Sequence, residues 1–361
     1  MRTEQFDYTL PPELIAQTPI EPRDHSRLMI VHRSTGHIEH RRFYELGDYL
    51  QPGDLLVANE SRVLPARLFG RKLPAGGRVE VLLLKPVPQP EEAKAGTEPR
   101  VWEALISPGR RVREGTSIGF GDPHNGPYMQ AEVLARTEAG GRILRFDRPP
   151  RPLLDVLGQM PLPPYIHETL RDPERYQTVY ARIEGSAAAP TAGLHFTQRL
   201  IDELRAMGVG FTTIVLHVGI DTFRPVHEEH VEAHRMHTEW YHFPPEAARA
   251  VTMTRREGHR VVAVGTTSVR VLETVAQEQG INLEDRHKEL KPSEGWTGLF
   301  ITPGYRFGLV DAMITNFHLP RSTLLMLVCA FAGYDLTMHA YRQAIREKYR
   351  FYSFGDAMLI L

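Results

Sequence analysis

Cysteine is almost absent from this chain of 361 residues, because Cys329 is the only one. A single thiol cannot form an intrachain disulfide, and its place in the apolar run 324–331 indicates a core residue rather than a nucleophile. That run is too short to cross a bilayer, and no signal-like apolar stretch follows Met1. These features predict a cytoplasmic protein in a reducing compartment, without a membrane partner.

Charge of one sign is also lacking, since the formal net charge is −1 and the sequence pI is about 7.0. The chain is therefore not a general polycation, and any contact with nucleic acid must use local patches. The sequence contains no Gly-Lys dipeptide, which excludes a phosphate-binding P-loop. With 42% hydrophobic and 24% charged residues the composition is that of an ordinary globular protein, and the length suits two domains.

The stretch from residue 61 to 149 is rich in short β-forming runs separated by turn residues. Examples are Ala66–Gly70, Arg78–Leu84 and Val101–Ile106. No helical period appears before about residue 150, which predicts a small all-β domain, either a barrel or a sandwich. We expect it to be inserted into an α/β domain made of residues 1–60 and 150–361.

The second half of the chain alternates helices and strands. The segments 198–208 and 245–258 have helical spacing, and each precedes an apolar strand, at 211–219 and 260–265. This alternation predicts a mixed or largely parallel sheet covered by helices, in which ligands bind at the carboxyl ends of strands.

A loop of small residues lies at 184–197 and ends near one imidazole, His195. Small side chains allow a backbone to approach a ligand closely, although a buried turn without a ligand would use the same residues. A helix is predicted at 271–279, and the hydroxyls of 266–268 just before it are placed to bind an anion at its N-terminus, or simply to cap it. Asn316 and His318 alternate, so on an extended segment they face the same side.

Two further clusters of residues each allow two interpretations. His227, His230, His234 and His237 would lie on one helical face, as metal ligands or on a helix facing solvent or nucleic acid, but they do not match the zinc-protease order H-E-x-x-H. The segment 349–356 mixes aromatic residues with Arg350, which suits base stacking with phosphate contact, or a C-terminal strand packed on the core.

Taken together, these segments resemble the S-adenosylmethionine:tRNA ribosyltransferase-isomerase family over essentially the whole chain. The stretches that carry the resemblance are 6–8, 14–17, 23–28, 52–57, 185–196, 217–219, 234–239, 265–270, 315–323 and 349–356. Two departures are visible: Asp221 stands where the family usually has glycine, and Ser61 where it usually has threonine.

The resemblance implies an α/β domain interrupted by a small β-barrel. It also implies transfer and isomerisation of the ribosyl part of S-adenosylmethionine onto 7-aminomethyl-7-deazaguanine at the tRNA wobble position, giving epoxyqueuosine, adenine and methionine. S-adenosylmethionine is then a consumed co-substrate, no other cofactor is expected, and a monomer is the working expectation.

This chemistry needs a base beside the sulfonium and an acid for the leaving adenine, and histidine suits both near neutral pH. The candidate catalytic residues are His195 and His217, followed by His318 and His237. The candidate substrate-binding residues are Thr191, Gly193, Gly219, Gly265, Thr266, Thr267, Ser268, Arg270 and Asn316, with the methionine carboxylate near 265–268 and the adenine edge at Asn316. The candidate tRNA-binding residues are Arg62, Arg67, Arg110, Arg111, Arg321, Arg350 and Tyr352.

The sequence alone leaves two other classes of function open. One is a tRNA-binding module without chemistry, which the histidines and Asn316 near strand ends disfavour. The other is a metal-dependent hydrolase built on His227–His237.

Overall fold

The computed structural model describes residues 1–74, 76–87, 89, 98–137, 140–219 and 225–361. Asp221, one of the two departures from the family pattern, lies outside these described residues. The chain divides into two compact units, an α/β unit (Met1–Arg62 with Pro163–Leu361) and an inserted unit (Val63–Leu162). The inserted unit continues past residue 149 because strand Gly158–Gln159 pairs with strand Arg67–Leu73 within it.

Strands are numbered here in chain order. They are β1 Arg27–Val31, β2 Ile38–Arg42, β3 Leu55–Asn59, β4 Ser61–Val63, β5 Arg67–Leu73, β6 Arg78–Pro86, β7 Val101–Ser107, β8 Ser117–Gly121, β9 Tyr128–Arg136, β10 Arg142–Phe146, β11 Gly158–Gln159, β12 Ile183–Ser186, β13 Gly210–Leu216, β14 Glu239–Phe243, β15 Val261–Val264, β16 Ser293–Thr297, β17 Ala312–Asn316 and β18 Ala357–Ile360.

The helices are short to medium in length. The α-helices are α1 Leu154–Leu157, α2 Gln198–Ala206, α3 Pro245–Arg256, α4 Thr266–Glu278, α5 Thr323–Ala332 and α6 Tyr334–Arg346. The 3-10 helices are Thr3–Phe6, Pro12–Leu14, Arg23–His25, Phe43–Tyr49, Gly109–Arg111, Arg151–Leu153, Pro173–Tyr176, Thr191–His195 and Val231–Ala233.

The α/β unit is built on a mixed sheet. Within the described residues its strand order is β16-β14-β13-β3-β15-β17-β18-β1-β2. The neighbours β13, β3, β15 and β17 run parallel to one another, whereas β14 and β18 are antiparallel to β13 and β17. The carboxyl ends of the four parallel strands therefore meet at one edge of the sheet, where ligands bind in open α/β sheets.

Both faces of the sheet are covered, and its central strands consist mainly of apolar residues that these layers bury. All residues of β3 and β15 are buried, as expected for parallel strands between helical layers. Leu55 and Val57 face one core, which includes Val269 of α4. Leu56 and Ala58 face a second core, which includes Leu200 of α2.

The inserted unit is a closed antiparallel β-barrel. Its strand order is β11-β5-β6-β7-β10-β9-β8, and a further pairing of β5 with β8 closes the ring. Gly70 pairs with Phe120 across this closure. The predicted fold class, an α/β domain interrupted by a small all-β barrel, is confirmed.

Local predictions were less accurate at element ends. Helix α4 begins at Thr266 rather than at the predicted Val271, because Gly265, with φ of 89°, turns the chain from β15 directly into the helix. The aromatic segment 349–356 is not a strand, and β18 begins only at Ala357. Among the described residues no single helix is long and apolar enough to cross a membrane; α5 and α6 meet that test only as a pair, with a 115° bend between them.

Candidate active site

A pocket lies at the edge where the parallel strands of the α/β unit end. Chain segments that follow β13, β15 and β17 reach it, together with the 3-10 helix Thr191–His195 and the start of α5. The residues that line it are Ala189, Pro190, Thr191, Ala192, Val218, Gly265, Thr266, Thr267, Thr315, Asn316, His318 and Leu324.

Several candidate residues from separate parts of the sequence meet in this pocket. Those that line it are Thr191, Gly265, Thr266, Thr267, Asn316 and His318. The parallel pairing of β15 with β17 explains the meeting, since Val264 lies opposite Ile314 and the following residues emerge side by side. The pocket therefore combines a helix N-terminus, an amide and an imidazole.

His318 is the one candidate histidine among the pocket-lining residues that the structure describes. Its Nε2 lies 2.7 Å from Thr315 Oγ1, and Nδ1 makes no hydrogen bond with the described residues. Its backbone N–H donates to the Tyr341 hydroxyl at 2.9 Å, and its carbonyl accepts from the Tyr8 hydroxyl. Burial lowers the pKa of His318 to about 3, so the ring is neutral at physiological pH.

His195 lies deeper, and both ring nitrogens are engaged. Nδ1 lies 2.7 Å from Ser26 Oγ, and Nε2 lies 3.2 Å from Asn316 Nδ2. The ring stacks on Phe43 with centroids 5.0 Å apart. Burial, aided by the positive charges of Arg350 and Arg23, lowers the pKa of His195 to about 3. Both nitrogens of this imidazole therefore have hydrogen-bond partners inside the protein.

The other two candidate histidines are not among the described pocket residues. His217 follows β13, and its ring stacks on Trp240 with centroids 5.1 Å apart. Gly185 faces that ring so closely that a Cβ there would lie 2.6 Å from it, and its φ of 145° also favours glycine. His237 is exposed in the segment before β14.

Two candidate substrate-binding residues hold neighbouring structure together. Gly193 lies in the 3-10 helix Thr191–His195, where a Cβ would come within 2.1 Å of the Tyr180 hydroxyl. The Ser268 hydroxyl donates to the carbonyl of Val264 at 2.8 Å. Both residues therefore shape the pocket wall through contacts with the protein itself.

Arg270 and Gly219 meet at a buried carboxylate, Glu239. The Arg270 guanidinium forms an ion pair with Glu239 Oε2, and the side chains are 4% and 7% exposed. The Gly219 N–H donates to Glu239 Oε1 at 2.6 Å. The charge of Arg270 is thus neutralised inside the α/β unit, and neither Arg270 nor Glu239 lines the described pocket.

The candidate tRNA-binding arginines fall into two groups. Arg110 and Arg111 of the inserted unit are exposed, and their guanidinium groups form no ion pair with any described residue. The paired or anchored group consists of Arg62 with Glu174, Arg67 with Glu80, Arg321 with Asp7 and Arg350 with the carbonyl of Thr18. The two groups therefore differ in whether a described residue already pairs with or anchors the guanidinium.

Tyr352 is buried, so it offers no exposed surface for base stacking. Its side chain is 7% exposed, and its ring lies 4.7 Å from that of Tyr165. Its backbone N–H donates to the carbonyl of Phe317 at 3.1 Å, and its own carbonyl accepts from Asn316. Tyr352 therefore contacts the pocket residue Asn316 through its backbone carbonyl.

The segment 227–237 is not the helix that the histidine spacing suggested. Its helical part is the single 3-10 turn Val231–Ala233, and His234 pairs with Glu228 at 3.0 Å. Across the part of the chain that the structure describes, no group of three or more His, Cys, Asp or Glu side chains could hold a metal ion.

Some relevant residues had no strong signal in the sequence. Ser26 and Thr315, which bond the two buried imidazoles, have no spacing that links them to histidine.

The stretch Gly115–Gly119 matches the serine-hydrolase pattern G-x-S-x-G, which sequence reasoning missed. Ser117, however, begins strand β8 of the barrel, with no helix after it, so the strand-to-helix elbow is not formed.

Known proteins are similar to this chain along its full length. A family model described as "Queuosine biosynthesis protein" matches residues 3–360. The S-adenosylmethionine:tRNA ribosyltransferase-isomerases of Symbiobacterium thermophilum and Moorella thermoacetica are 57% and 56% identical, with all of each chain covered. The crystal structure of the S-adenosylmethionine tRNA ribosyltransferase from Thermotoga maritima matches with a TM-score of 0.54 at 44% identity, over 99% of this chain and 100% of that one.

Proposed function

Since the chain belongs to the S-adenosylmethionine:tRNA ribosyltransferase-isomerase family of queuosine biosynthesis, we propose that it uses the ribosyl part of S-adenosylmethionine to modify tRNA. The acceptor is the aminomethyl group of 7-aminomethyl-7-deazaguanine at the wobble position. The ribosyl group is transferred and isomerised, which gives epoxyqueuosine-tRNA and releases adenine and methionine. S-adenosylmethionine is consumed in each turnover and is not a bound cofactor.

The observation that carries this proposal is the pocket at the strand ends. It brings a helix N-terminus, Asn316 and His318 together with the small residues of 189–192. Helix N-termini favour carboxylates, and small residues allow close approach of a flat base. A zwitterionic nucleoside such as S-adenosylmethionine has both groups.

We assign the proton-accepting role to His318. The carbon beside a sulfonium is acidified by the positive charge, and a neutral imidazole can accept its proton. His318 Nδ1 makes no hydrogen bond with the described residues. A pKa near 3 makes a weak base, so proton removal by His318 depends on the acidity that the sulfonium gives to the adjacent carbon. His217 adjoins the pocket residue Val218 and stays the candidate acid for the leaving adenine.

The decisive test is product analysis. Purified protein incubated with S-adenosylmethionine and tRNA bearing the aminomethyl base is expected to release adenine and methionine in equal amounts. The matched control is the same tRNA with guanine at the wobble position, which should give no release because the accepting amine is missing. Appearance of S-adenosylhomocysteine would instead indicate methyl transfer and contradict the proposed reaction.

The tRNA contact is proposed to use Arg110 and Arg111, because these exposed cations form no ion pair with the described residues. Replacing both with alanine should raise the KM for tRNA and reduce the slope of log K against log salt by roughly 1 to 2. The KM for S-adenosylmethionine should stay unchanged. The exposed Arg249 of α3, replaced in the same way, serves as a control for lost surface charge. An unchanged salt slope in the double variant would remove these residues from the tRNA interface.

A further inference from the structure

Within the part of the chain that the structure describes, two buried polar atoms of pocket residues have no hydrogen-bond partner. They are Thr267 Oγ1 and Asn316 Oδ1, in side chains that are 7% and 2% exposed. Leaving a buried donor or acceptor unsatisfied destabilises a protein, so such atoms require an explanation. Both residues line the same pocket, which indicates that a ligand satisfies them.

The orientation of the Asn316 amide is determined by its surroundings. Its Nδ2 donates to the backbone carbonyl of Tyr352 at 3.2 Å and to His195 Nε2 at 3.2 Å. A backbone carbonyl can only accept, so the amide cannot be flipped without losing this bond. Oδ1 is therefore held as an acceptor, and the ligand group that meets it must be a hydrogen-bond donor.

His195 holds this amide in place. Because Nε2 accepts from Asn316, Nδ1 carries the ring proton and donates to Ser26 Oγ at 2.7 Å. The stacked Phe43 fixes the plane of the ring. The low pKa of His195 keeps the imidazole neutral, so that Nε2 remains an acceptor. Ser26, His195 and Asn316 thus form a chain that ends in an acceptor for the ligand.

The start of helix α4 offers hydrogen-bond donors rather than an acceptor. None of the described side chains caps this helix, and its first backbone N–H groups have no intrahelical partner. Thr267 Oγ1, in the first turn, adds a hydroxyl donor. Donors at the positive end of a helix of this length bind anions.

We propose that the pocket binds an α-amino carboxylate, with the carboxylate at the N-terminus of α4 and the Thr267 hydroxyl, and the ammonium on Asn316 Oδ1. His195 is the residue that positions Asn316. The inference rests on the proposed function and makes it more specific: the group is the methionine end of S-adenosylmethionine. It differs from the sequence-based expectation at Asn316, which placed the adenine edge there.

The test compares two ligands by calorimetry. S-adenosylmethionine carries the amino carboxylate, whereas 5′-methylthioadenosine shares the adenosine and sulfur and lacks it. Thr267→Val removes the hydroxyl at constant shape and should weaken S-adenosylmethionine binding by roughly tenfold or more, with 5′-methylthioadenosine affinity unchanged. Thr337→Val is the matched control, because Thr337 is also buried in the first turn of a helix and bonds the Gly333 carbonyl.

The positioning role of His195 has its own pair of variants. The amide oxygen of His195→Gln can still accept from Asn316 Nδ2, so part of the S-adenosylmethionine affinity should return relative to His195→Leu. A purely structural role would instead change the affinities of both ligands together. Thermal melting of each variant identifies unfolded protein before binding is measured.

The outcomes separate the two proposals. Absence of S-adenosylmethionine binding by the native protein, both alone and with the guanine-bearing control tRNA, would contradict the proposed function itself. Binding by the native protein, combined with a Thr267→Val variant that loses both ligands equally or neither, would overturn the amino-carboxylate assignment and leave the function standing.

Discussion

Replacing His318 with glutamine is expected to lower the rate constant for adenine release by about 10²- to 10⁴-fold, the usual contribution of a general base. Glutamine can still bond the Thr315 hydroxyl, which His318 contacts at 2.7 Å, but it cannot take a proton. The KM for S-adenosylmethionine should change much less than kcat. Single-turnover assays with saturating tRNA would measure the effect on the chemical step.

The control for this variant is His40→Gln. His40 bonds the Tyr349 hydroxyl and Gln343 in another part of the α/β unit, so its loss tests the effect of removing a structural imidazole. Its kcat should be close to that of the native protein. A His318→Gln protein that folds normally and keeps more than about a tenth of native kcat would contradict the catalytic role.

Mild acid is expected to destabilise the protein strongly. Burial lowers the pKa values of both His195 and His318 to about 3, from about 6.5 in the unfolded chain. Below pH 6.5 the unfolded state binds protons that the folded state excludes, so the free energy of unfolding falls as pH falls from 6.5 toward 3. Between pH 7 and pH 5 the two residues together account for a loss of about 4 kcal/mol.

Urea unfolding at pH 7, 6 and 5, followed by tryptophan fluorescence, would measure this loss. Burial raises the pKa values of Glu273 and Asp356, and these carboxyls act in the opposite direction. The comparison is therefore with the double variant His195→Gln/His318→Gln, which retains both carboxyls. A native protein whose pH dependence equals that of the double variant would contradict neutral burial of the two imidazoles.

Much of the fold follows from local patterns in the sequence. The apolar run that became β15 is buried on both faces, and the punctuated β-forming stretch became the barrel. These signals are strong because each is set by hydrophobicity over neighbouring residues. The start of α4 was placed too late because a single glycine with positive φ replaced the expected connecting turn.

The site could be predicted only as a set of segments. Asn316 and His318 line the described pocket, which depends on where β17 ends beside β15. His195 is one of 17 histidines in the sequence. Its contact with Ser26 joins residues 169 positions apart, so no local pattern reveals it. The contacts of Tyr352 with Tyr165 and of Arg270 with Glu239 could not be foreseen for the same reason, since these partners lie on other elements.

The ion pair between Arg270 and Glu239 has a consequence for how the sequence can vary over evolutionary time. Loss of either partner leaves a lone charge in the interior, which costs about 3–5 kcal/mol, whereas joint replacement by apolar residues is close to neutral. Glu239 also accepts from the Gly219 amide, so its loss would leave that amide unsatisfied as well. The two positions are therefore expected to change together in evolution, and only where another acceptor serves the Gly219 amide.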